Sequence, residues 1–322
     1  MKIGRLACVV PLVSSFAAVA VPSAAGFGCT GHQVVAFIAE DHLEPHARAM
    51  VMQILAAAPI DPGLRRYCGD SGVDRFVDSS TWADDERGVR PETSGWHFVD
   101  IPRRAPLGDI MKYCPPSAGC ILTAITSELS VLSNQAASPR ERADALRFII
   151  HLVGDLHQPL HTTTNDDRGG NCVPVAYFDR APEETNPEKE DYRPNLHGVW
   201  DTNIIERFAQ GRPSRQVASE LEEKFKTQIQ AWESEKAAVN AWALESHALA
   251  EAVVYGDLPA QIAIEKPQEV NSCADDDHIA ARMLKLHEQI GEDYEIAAET
   301  AVETQLAKAG ARLAGLLNSL WP

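Results

Sequence analysis

The chain has 322 residues, of which 45% are hydrophobic, and its 29 basic and 46 acidic side chains give a formal net charge of −17 at pH 7. This balance excludes a broad basic surface for nucleic acid, because such a surface needs clustered Lys and Arg in excess. Either the substrate is not a polyanion, or bound cations supply positive charge locally.

The first 26 residues have the pattern of a secretory signal peptide. Two basic residues precede an apolar run at residues 6–21, and small residues follow it up to Gly26. The run is too short for a membrane anchor and a cleavage signal follows it. We expect cleavage between Gly26 and Phe27, a secreted product, and one large domain over residues 27–322. That domain keeps 27 basic residues against the same 46 acidic ones, a net charge of −19.

Hydrophobic periodicity predicts an all-α fold with a bundle-like core. Apolar residues recur at helical spacing in residues 32–43, 47–58, 121–133, 140–156, 216–255 and 278–320. Alternating strand patterns are scarce. Long polar loops separate these segments at residues 61–78, 102–119 and 162–194. Loops of such length inside a compact domain are usually functional or mobile.

Six of the seven cysteines lie after the signal peptide. An even number in an exported chain favours disulfides over zinc thiolate sites, and no CxxC pair is present. Cys114 and Cys120 flank a turn-forming segment, PPSAG, so we predict that they pair. The other four cysteines allow three pairings, between which the sequence does not decide.

Residues 151–161, HLVGDLHQPLH, carry the clearest metal-binding pattern. His151 and Asp155 are one helical turn apart, so their side chains emerge side by side. Pro159 should end the helix near Gln158, which places His161 just past its end. An isolated His and Asp pair is more often a solvated surface pair. Among these apolar neighbours, however, buried polar groups need partners, and a metal ion is a natural one.

The same spacing recurs at His197 and Asp201. Taken alone, this second pair is equally compatible with a helix surface beside a packed Trp200. Two such His and Asp pairs in one chain favour metal binding more strongly than one pair would alone.

Further candidates lie upstream. Asp84 and Arg87 follow a loop, and His97 lies among aromatic residues. Taken singly, Asp84 is more simply explained as a helix cap and His97 as a core histidine. Cleavage before Phe27 would free an α-amino group five residues before His32, and an unprotonated amine can chelate a metal together with its own carbonyl.

These motifs together resemble the S-one/P-one nucleases, zinc enzymes of fungi, plants and bacteria that are related to bacterial zinc phospholipase C. The resemblance runs from Phe27 to the end of the chain. It rests on Gly31-His32, Trp82-Ala83-Asp84, Trp96-His97-Phe98, residues 151–161 and His197-Gly198-Val199-Trp200-Asp201.

The resemblance implies three zinc ions. The first would be bound by Asp84, His97, His151 and Asp155. Asp155 would bridge to a second ion held by Phe27 and His32, and the third would be bound by His161, His197 and Asp201. Phe27 stands where the family has an N-terminal tryptophan whose ligands are backbone atoms.

The resemblance also implies a substrate site. Phe98 would stack on a nucleobase, Asp100 would hydrogen-bond to it, and Arg87 and Asn203 would contact the substrate. Asp84, Arg87 and Asp155 would then be the catalytic residues. Considered without the resemblance, Phe98 is compatible with a core position and Asp100 with a turn.

The implied activity is that of a secreted endonuclease and 3′-nucleotidase that cleaves single-stranded DNA and RNA to 5′-phosphorylated products. A zinc phospholipase C would share every metal ligand, but Phe98 and Asp100 favour a nucleobase. A non-catalytic zinc-binding protein is a third alternative, which the full ligand set with Arg87 disfavours. No later segment approaches the ~20 apolar residues that span a bilayer, so stable membrane association is not expected. The sequence implies no protein partner.

Overall fold

The computed structural model describes residues 27–64, 68, 75–186, 191–236, 238–258, 273 and 288–322. The expected signal peptide, residues 1–26, lies outside the described residues, as do residues 278–287 of the last predicted helix. Within the described ranges, no helix is both long enough and apolar enough to cross a membrane.

The described residues are mainly helical, which confirms the predicted fold class. The helices are α1 (Cys29–Asp41), α2 (Pro45–Ala57), α3 (Arg75–Ser79), α4 (Trp82–Glu86), α5 (Ile121–Ser133), α6 (Pro139–Leu156), α7 (Leu196–Gly198), α8 (Ile204–Ala209), α9 (Ser214–Glu233), α10 (Val239–Leu249) and α11 (Glu292–Leu320). Short 3-10 helices occupy Pro62–Leu64, Pro91–His97, Ile110–Tyr113 and Pro159–His161. Two π-helical turns occupy Val199–Asn203 and Ala250–Val254.

Strands are few and short among the described residues. β1 (Val175–Tyr177) pairs in parallel with β4 (Glu288–Ile290). β2 (Glu183–Asn186) pairs antiparallel with β3 (Asp191–Arg193). β1, β2 and β3 lie within the predicted loop at residues 162–194, so that segment is partly ordered by strand pairing.

The predicted helices at residues 32–43 and 47–58 correspond to α1 and α2, whose ends differ from the prediction by one to three residues. Two other predicted helices differ more. Residues 216–255 form two helices, α9 and α10, separated by a break after Glu233, and a π-helical turn follows them. Apolar periodicity continues across this break without a Gly or Pro to mark it, so the pattern did not reveal where α9 ends. At the carboxyl end, Glu288–Ile290 pairs as a strand, and α11 begins only at Glu292. This pairing depends on a distant strand, which local periodicity does not report.

α6 runs through the centre of the protein and begins with a reciprocal capping box between Ser138 and Glu141. Its buried side chains divide between two hydrophobic clusters. Ile150 and Val153 pack in the larger cluster, with residues of α1, α2, α9 and α11, whereas Leu152 packs with residues of α4 and α5 in the smaller one. Residues 145–156 of α6 are all buried, so the polar side chains of this part of the helix lie in the interior, where they need partners.

Three disulfides join Cys29 to Cys68, Cys114 to Cys120, and Cys172 to Cys273. The predicted Cys114–Cys120 pair is confirmed. The other two bonds connect cysteines 39 and 101 residues apart, and only the folded chain brings such distant cysteines together.

Candidate metal centre

In the part of the chain that the structure describes, buried His and Asp side chains form three groups, and within each group every residue has one ligand atom that lies within 4.8 Å of the others. They are the His32 cluster (His32, His151 and Asp155), the Asp84 cluster (Asp84, His97 and His151) and the Asp201 cluster (His161, His197 and Asp201). Eight of the nine predicted metal ligands are therefore brought together. The ninth, Phe27, would bind through its backbone.

Asp155 lies where the first two clusters meet. Its Oδ1 is 3.2 Å from His32 Nε2, whereas its Oδ2 is 2.9 Å from His97 Nδ1 and 3.0 Å from His151 Nε2. The two oxygens of one carboxylate thus face different sets of nitrogen ligands. This geometry allows Asp155 to bridge two cations.

α4 brings Asp84 and Arg87 to the same place. Asp84 Oδ1 lies 3.6 Å from His151 Nε2 and 3.7 Å from His97 Nδ1. The Arg87 guanidinium lies 2.9 Å from the same oxygen, and its side chain is 20% exposed. Asp84 is therefore a member of the cluster rather than the helix cap that the local sequence allowed, and Arg87 is a cation at its edge.

The Asp201 cluster is assembled by two separate turns. His161 ends the 3-10 helix that follows α6, while His197 lies in α7 and Asp201 in the adjoining π-helical turn. His197 Nε2 is 3.2 Å from Asp201 Oδ2, and His161 Nε2 is 3.8 Å from Asp201 Oδ1. The expected pairing of His197 with Asp201 is present, although in a π-helical turn, which occurs frequently at functional sites.

Backbone carbonyls fix the orientation of three of the histidines. Nδ1 of His151 donates to Ser80 O at 2.7 Å, Nδ1 of His161 to His97 O at 2.7 Å, and Nδ1 of His197 to Gly169 O at 2.6 Å. Only a protonated nitrogen can donate to a carbonyl, so in the neutral form of each ring Nε2 carries the lone pair that faces its cluster.

Sequence reasoning missed these carbonyl partners, and it missed Gln158. The Gln158 side chain is fully buried and donates to Asp201 Oδ1, while its own oxygen accepts from Leu160 N. Its position between two proposed ligands in residues 151–161 was the signal available in the sequence.

The start of the described chain lies against the Asp201 cluster. Phe27 is fully buried, and Gly28 N donates to Asp201 O at 2.7 Å. Gly28 O accepts from His32 N, which connects the same segment to the His32 cluster. The backbone at residues 27–28 is thus held between these two clusters.

The two predicted base-binding residues, Phe98 and Asp100, lie on either side of a buried residue. Val99 between them is buried, and its N–H donates to His161 O at 2.8 Å, whereas Phe98 is 39% exposed and Asp100 is exposed. Both residues are therefore at the surface, on either side of the buried Val99. Asn203 is half-buried at the end of the π-helical turn that carries Asp201.

The side chains at the centre fit metal ions. Among the described residues, the buried atoms His32 Nε2, Asp155 Oδ1 and His161 Nε2 make no well-formed hydrogen bond, although burying such atoms without a partner is costly. Imidazole nitrogens with carboxylate oxygens form a donor set that zinc commonly takes.

The electrostatic environment is consistent with this donor set. Burial lowers the pKa of His97 to about 4, which keeps that ring neutral. Burial also opposes charge on Asp155, but His151 and His161 hold the pKa of this carboxyl well below its usual value. For His151 the effect of burial is outweighed by Asp155 and Asp84, which raise its pKa to about 9. A cation bound here would therefore displace a proton.

Residues 27–322 match the sequence model of the family described as S1/P1 Nuclease. Nuclease S1 of Aspergillus oryzae is 30% identical over 210 residues, which cover 63% of this chain and 63% of that protein. Nuclease P1 of Penicillium citrinum is 28% identical over 213 residues, 65% of this chain and 67% of that protein. Endonuclease 3 of Arabidopsis thaliana is 26% identical over 314 residues, 92% of this chain and 89% of that protein. Because the family match includes every residue of the three clusters, the chain belongs to the S1/P1 nuclease family.

Proposed function

We propose that this protein is a secreted, zinc-dependent phosphodiesterase, an endonuclease that cleaves single-stranded DNA and RNA to 5′-phosphorylated products and also removes the phosphate of 3′-nucleotides. The observation that carries the proposal is the meeting of three buried His and Asp clusters around Asp155 and Asp201. Family membership supports the class of reaction, and the disulfides are typical of exported proteins. The functional domain would comprise residues 27–322.

Three zinc ions would be held by the clusters. Asp84, His97, His151 and Asp155 would bind one ion, Phe27, His32 and Asp155 a second, and His161, His197 and Asp201 a third. When bound, the ions supply polarisation of the phosphoryl oxygens, an activated water and positive charge that compensates the acidic chain.

The protein's own residues would organise the reacting phosphate. Asp84 and Asp155 fix the ligand geometry, because both carboxylates are buried and contact histidines of two clusters. Arg87 is partly exposed at the edge of the Asp84 cluster, where a guanidinium can stabilise charge that develops on phosphoryl oxygens. Asn203, at the end of the π-helical turn that carries Asp201, would also contact the substrate.

The preference for single strands would come from Phe98 and Asp100. An exposed aromatic ring can stack on a base only when that base shows a free face, which an unpaired base does. Asp100, which is exposed two residues further along the chain, would accept a hydrogen bond from the edge of the stacked base. These two residues would direct the metal centre toward nucleotides rather than phospholipids.

The test is turnover of four substrates by the metal-analysed protein. Single-stranded DNA, RNA, 3′-AMP and phosphatidylcholine are incubated with and without a zinc chelator, and the products are assigned by their phosphate position. We expect chelator-sensitive cleavage of the first three, with 5′-phosphate ends from the polymers. Cleavage of phosphatidylcholine alone, or activity that survives complete zinc removal, would overturn the proposal.

A further inference from the structure

The loop at residues 165–170 precedes β1 and contacts the Asp201 cluster through its backbone. Asp166, Arg168, Gly169 and Gly170 all have positive φ, between 55° and 80°. Gly169 O is the acceptor for His197 Nδ1 at 2.6 Å. A Cβ on Gly169 would lie 2.6 Å from Leu160 O, so the loop also needs glycine there for its close approach. This unusual conformation requires something to hold it.

Asp167 lies at the centre of this loop and is 3% exposed. Its Oδ1 accepts from Gly170 N at 2.9 Å and from Asn165 N at 3.2 Å, on either side of it in the loop. Its backbone oxygen accepts from Cys172 N at 3.0 Å. Asp167 belongs to none of the three metal clusters found among the described residues, and its carboxylate is used to hold backbone N–H groups.

Tyr255 fixes the carboxylate of Asp167 from the other side. Its hydroxyl lies 3.0 Å from Oδ2 and 3.1 Å from Oδ1 of Asp167, and the residue is 1% exposed. Tyr255 directly follows the π-helical turn Ala250–Val254, and the Arg103 guanidinium lies 4.7 Å from the centre of its ring. The loop is thus tied to a distant part of the chain through one buried hydrogen-bonded pair.

We infer that Asp167, held by Tyr255, is a positioning residue for the Asp201 cluster. It keeps residues 165–170 in the conformation in which Gly169 O accepts from His197 Nδ1, so that His197 Nε2 faces Asp201. The inference rests on the proposed function, because it assumes that the Asp201 cluster binds a zinc ion. Partners that orient a ligand typically affect metal affinity by about 10- to 100-fold, and this is the size of effect expected for Asp167.

Four variants separate this role from a general effect on stability. Asp167→Ala removes the carboxylate, whereas Asp167→Asn keeps an oxygen for the backbone N–H groups and an amide that can donate to the Tyr255 hydroxyl. Tyr255→Phe removes only that hydroxyl. Tyr177→Phe is the matched control, because the Tyr177 hydroxyl also donates to a buried carboxylate, that of Glu295, at 2.8 Å.

The measurement is zinc affinity at each site of the full chain, by competition with a chromophoric chelator, together with the melting temperature. His197→Ala defines the signature of a damaged Asp201 cluster. We expect Asp167→Ala to weaken one of three zinc sites by about 10- to 100-fold and to match that signature. Tyr255→Phe should weaken the same site less, and Asp167→Asn and Tyr177→Phe should keep wild-type affinity at all three sites.

Wild-type affinity at all three sites in both Asp167→Ala and Tyr255→Phe would overturn the inference and leave the proposed function intact. Equal weakening of every site would also overturn it, since that result indicates a loss of overall stability. If Asp167→Ala does not fold, the zinc affinities of Tyr255→Phe decide, because this variant keeps the buried aromatic ring. If His197→Ala binds zinc at every site as tightly as the wild-type chain does, both this inference and the proposed third ion are overturned.

Discussion

Asp155 is fully buried, and each of its carboxylate oxygens faces a different set of imidazoles. In a water-excluded interior, an ionised carboxylate persists only when cationic or hydrogen-bonding partners compensate for the lost hydration. The imidazoles of four histidines, His32, His97, His151 and His161, lie within 4 Å of its oxygens, and bound cations would compensate its charge further. The residue is therefore the point of the centre where a single substitution should have the largest effect.

We predict that Asp155→Asn lowers the zinc content by at least one ion per chain and reduces turnover more than about 100-fold. The substitution removes the negative charge and replaces one of the two oxygens, which face different clusters, by an amide nitrogen that cannot bind a cation. Elemental analysis and the rate of 3′-AMP hydrolysis measure the two effects. Asp144→Asn, on the same helix but paired with Arg140 and Arg147, is the control and should keep the zinc content. Full activity of Asp155→Asn with the normal metal count would contradict the assignment.

For Phe98→Ala we predict weaker binding of mononucleotides, by roughly 5- to 150-fold in KM, because stacking on an aromatic ring contributes about 1–3 kcal/mol per base. Cleavage of a generic phosphodiester without a base should be nearly unchanged. Ile296→Ala removes another exposed hydrophobic side chain, on α11, and should affect neither substrate. Equal losses on both substrates for Phe98→Ala would argue against a base pocket.

At the level of elements, the approach of α1 to α6 determines whether the His32 cluster can form. The imidazole of His32 stacks on that of His151, with ring centroids 4.0 Å apart. A Cβ built on Gly154 would lie 2.9 Å from His32 Nδ1, so this glycine leaves the space that the imidazole occupies. The glycine within residues 151–161 thus has a packing role that the sequence pattern did not disclose.

We therefore predict that Gly154→Ala weakens zinc binding at the His32 cluster. In a helix interior, alanine should otherwise stabilise the protein by about 0.5–1 kcal/mol, so a lower zinc affinity or melting temperature would report the clash directly. Gly108→Ala is the control, because nothing lies within 4 Å of its Cβ position. Unchanged zinc affinity with a higher melting temperature for Gly154→Ala would show that His32 is not confined by α6.

The end of α1 is joined to α9 by a histidine between two glutamates. His42 Nε2 is 3.4 Å from Glu222 and its Nδ1 is 3.6 Å from Glu233. The hydrogen bond to Glu222 raises the pKa of His42, burial opposes this effect, and Glu233 reinforces it. A raised pKa in the folded state means that the protonated histidine stabilises the fold at low pH and that this contribution disappears as the pH rises through the folded-state pKa.

We predict that His42→Gln lowers the free energy of unfolding near pH 5.5 and has little effect near pH 9. The loss should remain below about 1 kcal/mol, because the side chain is 30% exposed and solvent screens the pair. Urea titrations at the two pH values measure it. In a Glu222→Gln background the pH-dependent part should shrink, and a loss that is equal at both pH values would show that charge is not the cause.

At the scale of the whole molecule, the metal clusters join parts of the chain that are far apart in sequence. Side chains from α1, α4, α6 and α7 meet with those of two 3-10 helices and a π-helical turn. A ligand that binds only the folded state stabilises it in proportion to the logarithm of its free concentration over its dissociation constant. The proposed ions would therefore contribute to the stability of the whole fold.

Removal of the ions by a chelator should accordingly lower the melting temperature, and restored zinc should recover it. A site that is saturated 100-fold over its dissociation constant contributes about 2.7 kcal/mol, so several sites together should produce a large shift. Differential scanning calorimetry measures the shift, with the three disulfides kept oxidised in both samples. An unchanged melting temperature after verified zinc removal would contradict a link between the clusters and the fold.

Much of this protein was determined by local sequence. The limits of α5 were predicted in full and those of α6 to within one residue at its start, because both helices have strong periodicity and α6 also has a capping box. His151 and Asp155 were paired correctly, since one helical turn fixes their spacing whatever else the chain does. The Cys114–Cys120 bond was also predictable from local sequence, because a short turn brings the two cysteines together.

Other features were decided only by the tertiary structure. The break between α9 and α10, the start of α11 after β4, and the Cys29–Cys68 and Cys172–Cys273 bonds depend on contacts between distant segments, which periodicity does not encode. The sequence alone supplied the ligand types and the resemblance, but left Asp84 and His97 with simpler explanations. Their meeting with His151 and Asp155 requires α4 and a 3-10 helix to pack against α6, and the carbonyls that orient the histidines come from loops shaped by that packing. The sequence determines which side chains can bind a metal ion, whereas their assembly into one centre depends on the free energy of the whole fold.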